Sequence, residues 1–381
     1  MKGRLRVALF SELPTPYRWP VFERLLARPE LSLRVFFCAR GEPDRDWSFP
    51  FEPDGRVRFL PVTTLSRSGA RSVHVHVNPT VFGELARGRF DVVVLPGYAM
   101  FASQAGALWC RATGTPYVLF SETTHLGRRR PAVRALKRLL LPVLVGGAKA
   151  WLATGSLSRE YLVSWGARGE DVFPFPNSPD VEAFGRGARR SEELRRAHGV
   201  TDETVVLFVA RLLGVKRADL LIEAAARLTD RGKKLAVWIA GEGAERESLR
   251  HLAREVGCVS FLGNVATGDL PALYGSADIF VLPSDHEPWG AVVGEAMACG
   301  LPVVVSDHVG SAPDLVVPDE TGLVFPRGDA AALADTLERL LSDPGRRRRM
   351  GRRAAERIAA YSHDACVESF LRAVHTAARA R

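Results

Sequence analysis

The stretch Val281-Leu-Pro-Ser-Asp-His-Glu-Pro-Trp-Gly-Ala-Val-Val-Gly-Glu-Ala-Met-Ala-Cys-Gly-Leu-Pro-Val-Val-Val305 reads as strand, loop, helix and strand in one pass. An apolar strand closes near Leu282, a loop carries Pro283 and Pro288, Gly290 opens a helix, and a second apolar strand begins at Pro302. Both strands are continuously apolar rather than alternating, the pattern of parallel strands covered by helices on both faces. The same rhythm extends outward. Apolar runs at 204–209, 235–240 and 259–262, with helical stretches at 218–228 and 270–277, complete one set of strands. Runs at 6–10, 33–37, 91–95, 117–120 and 150–153 form another. Strand and helix alternating at this spacing predict doubly wound parallel sheets.

The rhythm pauses after Pro174, Pro176 and Pro179, where a charged helix-like stretch, 189–198, intervenes. This predicts an N-terminal Rossmann-like domain over 1–185 and a second over 186–360. A C-terminal helix, 361–381, follows, with Val367, Phe370, Leu371 and Val374 on one side and a possible return to the first domain. In such sheets a ligand is expected at the carboxyl ends of the strands.

Composition narrows the function classes. With 381 residues, 46% hydrophobic and 25% charged, the chain reads as two globular α/β domains. Five cysteines stand singly, which excludes a disulfide framework and paired-cysteine metal motifs and fits a reducing compartment. Met1 to Val7 pass into a strand without an apolar leader, and the apolar run 139–154 is broken by Pro142, Gly146, Gly147 and Lys149. A cytoplasmic protein, with or without peripheral contact to a membrane, is the expectation. The net charge is +9. No acidic residue lies between Glu122 and Glu160, while Arg128, Arg129, Arg130, Arg134, Lys137, Arg138, Lys149 and Arg159 accumulate there. Arg346 to Arg349, with Arg352 and Arg353, form a second basic block. Such blocks attract phosphates or anionic lipid, or are simply solvated faces. Leu136, Leu139 and Leu140 interleaved with Arg130, Arg134, Lys137 and Arg138 allow a basic amphipathic helix lying on anionic lipid. No nucleic-acid motif accompanies the charge.

Two loops carry the chemistry. Glu287 lies before the helix opened by Gly290, and Glu295 lies within it. The first turn, Gly290, Ala291 and Val292, offers unpaired N–H groups and the positive end of the helix dipole to a phosphate. Two acids beside an anion site make sense if they accept hydrogen bonds from sugar hydroxyls flanking a diphosphate. Otherwise Glu295 is an exposed helix residue. In 208–217 a strand ends at Arg211, a turn holds Gly214, and Lys216 precedes the next helix. Two cations across a strand-to-helix loop suit a pyrophosphate, or are merely exposed.

Together with Gly241-Glu-Gly243, Phe261-Leu-Gly-Asn264, Leu273-Tyr-Gly-Ser-Ala-Asp278 and Thr321-Gly-Leu-Val-Phe325, these loops resemble the retaining glycosyltransferases related to glycogen synthase and to bacterial mannosyl- and N-acetylglucosaminyltransferases, family 4 of the sequence-based scheme. The resemblance is strongest over 205–325. It implies the GT-B fold, two facing Rossmann-like domains with a nucleotide-sugar held mainly by the second. On that resemblance Arg211 and Lys216 hold the donor diphosphate, Glu287 contacts the donor sugar and Glu295 the ribose. Gly290, Ala291 and Val292 match the phosphate-binding helix start, and the loop with Gly263 and Val265 accepts the base edge. Trp289 and Gly241 are expected beside the donor.

The first domain matches more loosely. Pro16, Tyr17 and Arg18 stand where many members carry a Gly-Gly pair, resembling a subset with a Pro-x-Pro-Tyr-Arg loop. They are expected near acceptor or phosphate, with Tyr17 alternatively packed under the loop. His125 matches an active-site histidine of many members, and Glu122 is a weaker candidate for the same site. Asp44 and Asp46, and the alternating His74 and His76, read as a solvated loop and a strand surface rather than metal ligands. The resemblance implies metal-independent, configuration-retaining transfer from a nucleoside-diphosphate-sugar to a saccharide or lipid-linked acceptor in cell-surface polysaccharide or glycolipid synthesis, without a resident cofactor. A GT-B epimerase and a non-catalytic sugar- or nucleotide-binding protein are the alternatives. The base, the sugar, the acceptor and the oligomeric state are not legible.

Overall fold

Long unbroken apolar runs are stable as strands only where both sheet faces are covered, and the strands of this chain meet that condition. The computed structural model describes residues 4–41, 54–67, 73–127 and 131–380, without the side chains of 66, 67, 73, 74 and 131–136. Asp44, Asp46, Arg128, Arg129 and Arg130 therefore lie outside the described residues. So do the side chains of His74, Arg134 and Leu136.

The chain divides into two compact units, one of Met1–Asn177 with His363–Arg381 and one of Ser178–Ser362. The division after Asn177 replaces the boundary expected at 185/186. The helix Val181–Gly187 belongs to the second unit because Phe184 is buried there, its ring 6.0 Å from that of Tyr274. The last helix, His363–Arg379, packs in the first unit, where Cys366, Val367, Phe370, Leu371 and Val374 are buried.

The first unit is built on β1 (Leu5–Ser11), β2 (Leu31–Phe37), β3 (Val57–Phe59), β6 (Val92–Pro96), β7 (Tyr117–Ser121), β8 (Ala150–Ala153) and β9 (Val172–Pro174), and a hairpin of β4 (Thr63–Arg67) and β5 (Val73–Val77) stands apart. The strand order is β3-β2-β1-β6-β7-β8-β9, all parallel. Val7 is flanked by Leu33 and Val92, so the order reverses between β1 and β6.

The second unit holds β10 (Thr204–Val209), β11 (Leu235–Ala240), β12 (Val259–Gly263), β13 (Ile279–Leu282), β14 (Val303–Ser306) and β15 (Gly322–Phe325). Their order is β12-β11-β10-β13-β14-β15, again parallel, with the reversal between β10 and β13. At each reversal neighbouring loops leave in opposite directions and open a crevice at the carboxyl edge.

Candidate active site

In the second unit the loops after β10 to β14 are stitched into one rim by backbone hydrogen bonds. Leu212 N–H donates to Glu242 O at 2.8 Å, and Gly241 N–H to Gly263 O at 2.7 Å. Asp285 N–H donates to Val215 O at 2.9 Å, tying the loop after β13 to that after β10. On its other side Glu287 N–H donates to His308 O at 3.1 Å and Ser311 N–H to Trp289 O at 3.0 Å. The rim brings Arg211, Lys216, Glu287 and the start of the helix Ala291–Ala298 to a single edge of the sheet.

Lys216 ends a short turn, Gly214–Lys216, and its ammonium is ion-paired with Glu287 Oε2. Both side chains are mostly buried, so the pairing is less screened than a surface salt bridge. Arg211 is exposed at the mouth of the same loop. The next residue but five, Arg217, holds a left-handed backbone (φ 55°), and its guanidinium donates to Asp219 and Asp285. That brace fixes the turn from which Lys216 projects.

Glu295 sits one helical turn further in. Its Oε2 accepts the Tyr274 hydroxyl at 2.9 Å. Burial pushes the Glu295 carboxyl up to about 7, against the opposing pull of the Tyr274 hydrogen bond.

Gly290 precedes the helix at φ 89°, in the left-handed region, and a Cβ there would meet Glu287 Cγ at 3.1 Å. Any other residue would press on the acid that the loop presents. Two expected donor contacts have other roles. Trp289 is 3% exposed and packed in the core, so its side chain anchors the loop rather than lining it. Gly241, at φ 131°, lies so close beneath the β10 loop that a Cβ would stand 2.0 Å from Ala210 O. Its smallness lets the two loops touch. The Gly263 carbonyl receives the Gly241 N–H, while Val265 is partly buried against the core. Ala291 and Val292 are partly buried in the first helical turn.

The first unit carries a pocket of about 360 Å³ at its own order reversal, formed by the ends of β1, β6 and β7. Tyr17, Arg18 and Glu122 line it, together with Thr15, Tyr98 and Thr123, which sequence reasoning missed. Tyr98 was findable in principle, because Pro96-Gly-Tyr98 directly follows an apolar strand. Arg18 is 7% exposed and donates to Glu122 Oε1 at 2.6 Å and Asn177 Oδ1 at 2.5 Å, with its guanidinium 4.1 Å from the Phe120 ring centre. Pro16 stands exposed and does not line the pocket. His125 is also exposed and outside the lining. Its Nε2 lies 3.3 Å from Ser164 Oγ and its ring 4.9 Å from that of Tyr161. His76 is buried, with Nδ1 3.1 Å from Thr64 Oγ1 across the hairpin. Among the described residues, no group of three or more His, Cys, Asp or Glu is placed to hold a metal ion.

Residues 190–357 match the family model described as glycosyl transferases group 1, and residues 22–178 match the glycosyl transferase 4-like domain. The chain belongs to the group 1 glycosyltransferases. Among solved structures it is similar to sucrose-phosphate synthase from Thermosynechococcus elongatus, with a TM-score of 0.75 at 21% identity over 99% of this chain and 100% of that one. It is also similar to Anabaena HepE in complex with UDP, with a TM-score of 0.73 at 20% identity over 98% and 100% of the two chains. The fold of this group 1 member is accordingly GT-B.

Curated relatives include an alpha-D-kanosaminyltransferase of Streptomyces kanamyceticus, 38% identical over 44% of this chain and 44% of its own length. A D-inositol 3-phosphate glycosyltransferase of Kribbella flavida is 33% identical over 59% of this chain and 55% of its own length. The chain spans about half the length of the curated relatives it matches.

Proposed function

We propose that this group 1 member transfers a sugar from a nucleoside-diphosphate-sugar to an acceptor hydroxyl with retention of configuration. The observation that carries the reading is the stitched rim, on which a paired lysine and glutamate, an arginine and a helix start share one sheet edge. Cleavage of the sugar–phosphate bond builds negative charge on the departing diphosphate. Arg211, Lys216 and the N–H groups of Gly290, Ala291 and Val292 are preorganised positive groups for that charge. These protein groups take the electrostatic part of the work in this mechanism. A diphosphate drawing on Lys216 relaxes its grip on Glu287, which then accepts hydrogen bonds from the sugar hydroxyls. Glu295, in its ionised form, accepts from the ribose.

The acceptor is assigned to the pocket of the first unit and to a surface polysaccharide or glycolipid. The helix Pro131–Gly146 supports the lipid side of this assignment. Leu139, Leu140 and Val143 are exposed on it beside Arg138, within the stretch that lacks acids. Among the described residues no helix is long and apolar enough to cross a membrane, so contact would be peripheral.

Screening UDP-, GDP- and ADP-sugars for thermal stabilisation tests the reading, since a bound donor raises stability by mass action. One class is expected to stabilise and then to be consumed when an acceptor is supplied. Stabilisation by none of them would sink it.

A further inference from the structure

In the segment Leu273-Tyr-Gly-Ser-Ala-Asp278, packing and backbone bonds account for every residue but one. Leu273 and Ala277 are buried in the core of the second unit, and a Cβ on Gly275 would stand 2.6 Å from the Ala188 carbonyl carbon. Ser276 Oγ accepts the Ser191 N–H at 3.0 Å. Asp278 accepts the Val205 N–H at 2.8 Å and pairs with Arg190 and Arg195. The Tyr274 ring is core as well, 0% exposed, with its centre 6.0 Å from that of Phe184 and 5.9 Å from that of Phe280. Its hydroxyl is different. Phenylalanine would fill the same space without a polar atom to desolvate, so packing does not explain the oxygen. Among the described residues that hydroxyl has one partner, Glu295 Oε2, to which it donates at 2.9 Å.

Glu295 is partly exposed. Its Oε1 has no hydrogen-bond partner among the described residues and is not among the unpartnered atoms closed to solvent. One oxygen is thus held from inside while the other stays open. A donated hydrogen bond favours the charged form of a carboxylate and fixes its rotation. A carboxyl that keeps its proton presents a donor where a sugar hydroxyl needs an acceptor.

The helix of Glu295 packs against β13, β14 and the helices Val181–Gly187, Leu270–Gly275 and Pro344–Ile358. Val181–Gly187 turns Phe184 inward and leaves Glu182 and Arg186 paired at the surface. Pro344–Ile358 turns Met350, Gly351, Ala354 and Ile358 inward, with Arg348, Arg349, Arg352 and Arg353 exposed. The titratable groups that act on Glu295 are Tyr274 and, from the end of its own helix, Cys299. Burial, reinforced by the Glu295 charge, pushes the Cys299 thiol up to about 12 and the Tyr274 phenol well above its ordinary value. Both stay protonated across the neutral range, so Tyr274 remains a donor while Glu295 titrates.

We propose that Tyr274 is a positioning residue of the nucleotide site, its hydroxyl taking one oxygen of Glu295 so that the carboxylate meets the ligand as an acceptor. This rests on the reading of Glu295 as the ribose acceptor and adds the group that makes it one.

The test is calorimetric titration of the full chain from pH 6 to 9 with UDP, GDP and ADP, each beside its 2′,3′-dideoxy counterpart. The native chain should prefer the ribose form of the nucleotide it binds and lose that preference as pH falls through about 7. In Tyr274→Phe the loss should move to higher pH, lowering the preference at pH 7 by about threefold or more, and pH 9 should restore it. Tyr274→3-fluorotyrosine, nearly the same size and a stronger donor, should move the loss to lower pH. Glu295→Ala should have no preference at any pH, and adding Tyr274→Phe should change nothing further. A profile that shifts in neither Tyr274 variant overturns the proposal, as does a loss in Tyr274→Phe that pH 9 leaves in place, since loosened packing would not respond to pH. A native chain that binds none of the three or shows no preference, or a Glu295→Ala that keeps it, instead overturns the ribose reading and this assignment with it. Preference lost in Glu295→Ala but untouched in the Tyr274 variants removes Tyr274 alone.

Discussion

The Glu295 carboxyl is a small instance of function set against stability. Its pKa is raised from an ordinary 4.5 to about 7 by burial. Below pH 4.5 both folded and unfolded chains hold the proton. Between there and pH 7 only the folded chain does, so stability is lost as pH rises through that window, by about 3 kcal/mol in all. Glu295→Gln should therefore unfold at a higher temperature than the native chain at pH 8 and at a similar one at pH 5. Nucleotide affinity should run the other way in the native chain, weakening as pH falls through 7, because a protonated carboxyl loses acceptor capacity for the ribose. Calorimetric titration with nucleoside diphosphates from pH 6 to 8 checks this, and a flat profile would count against the ribose role. For the paired charges, Lys216→Ala and Glu287→Gln should each cost turnover about two to three orders of magnitude, the loss of roughly 3 kcal/mol of transition-state stabilisation. Circular dichroism should find the fold intact. Wild-type turnover in either variant would remove that residue's role. The places of Lys216, Glu287 and Glu295 were legible in the sequence because each lies in the loop or helix that directly follows an apolar strand, where local pattern fixes direction. The inward turn of Trp289, and of Lys137 toward the Tyr161 hydroxyl at 3.1 Å, was not, since the same letters in a loop or amphipathic helix serve equally with the side chain turned in or out.

At the scale of elements, strands were readable where four or more apolar residues ran together. The short strands Val57–Phe59 and Val172–Pro174 carry too few residues for a pattern and are set by pairing with β2 and β8. The domain boundary was misplaced for a related reason. Val181–Gly187 has helical character whichever unit it joins, and only the burial of Phe184 beside Tyr274 decides the matter. The rim itself was invisible, because backbone hydrogen bonds between loops leave little compositional trace. Its stiffness depends on the Trp289 ring held in the core beneath the Glu287 loop. Trp289→Ala should cost about 3–5 kcal/mol in denaturant-induced unfolding, the range for an aromatic removed from a core. It should also lower donor affinity by freeing Glu287 to move. Full stability in that variant would mean that the loop is held by the rim bonds alone.

At the scale of the whole molecule, the charge of +9 and the exposed apolar residues of the helix Pro131–Gly146 make a shared prediction. Vesicles with anionic lipid should co-sediment the chain at low salt and release it at high salt, and Leu139→Ser with Leu140→Ser should weaken the association. Binding indifferent to lipid charge would dismiss the idea. The chain's course makes a second prediction. The first unit is closed by the last residues of the sequence, whose Cys366, Val367, Phe370, Leu371 and Val374 are buried among strands laid down at its beginning. Burial of each such side chain contributes about 1.5–3 kcal/mol, so the helix supplies on the order of 10 kcal/mol, comparable with the net stability of a domain. Truncation after Ser362 should thus unfold what remains of the first unit, residues up to Asn177, and spare the second unit with its own core. Hydrogen exchange should show protection lost in β1, β6, β7 and β8 and kept in β10, β11 and β13. Equal loss in both sheets would mean that the units depend on each other for stability, and loss in neither that the helix covers a surface already stable without it.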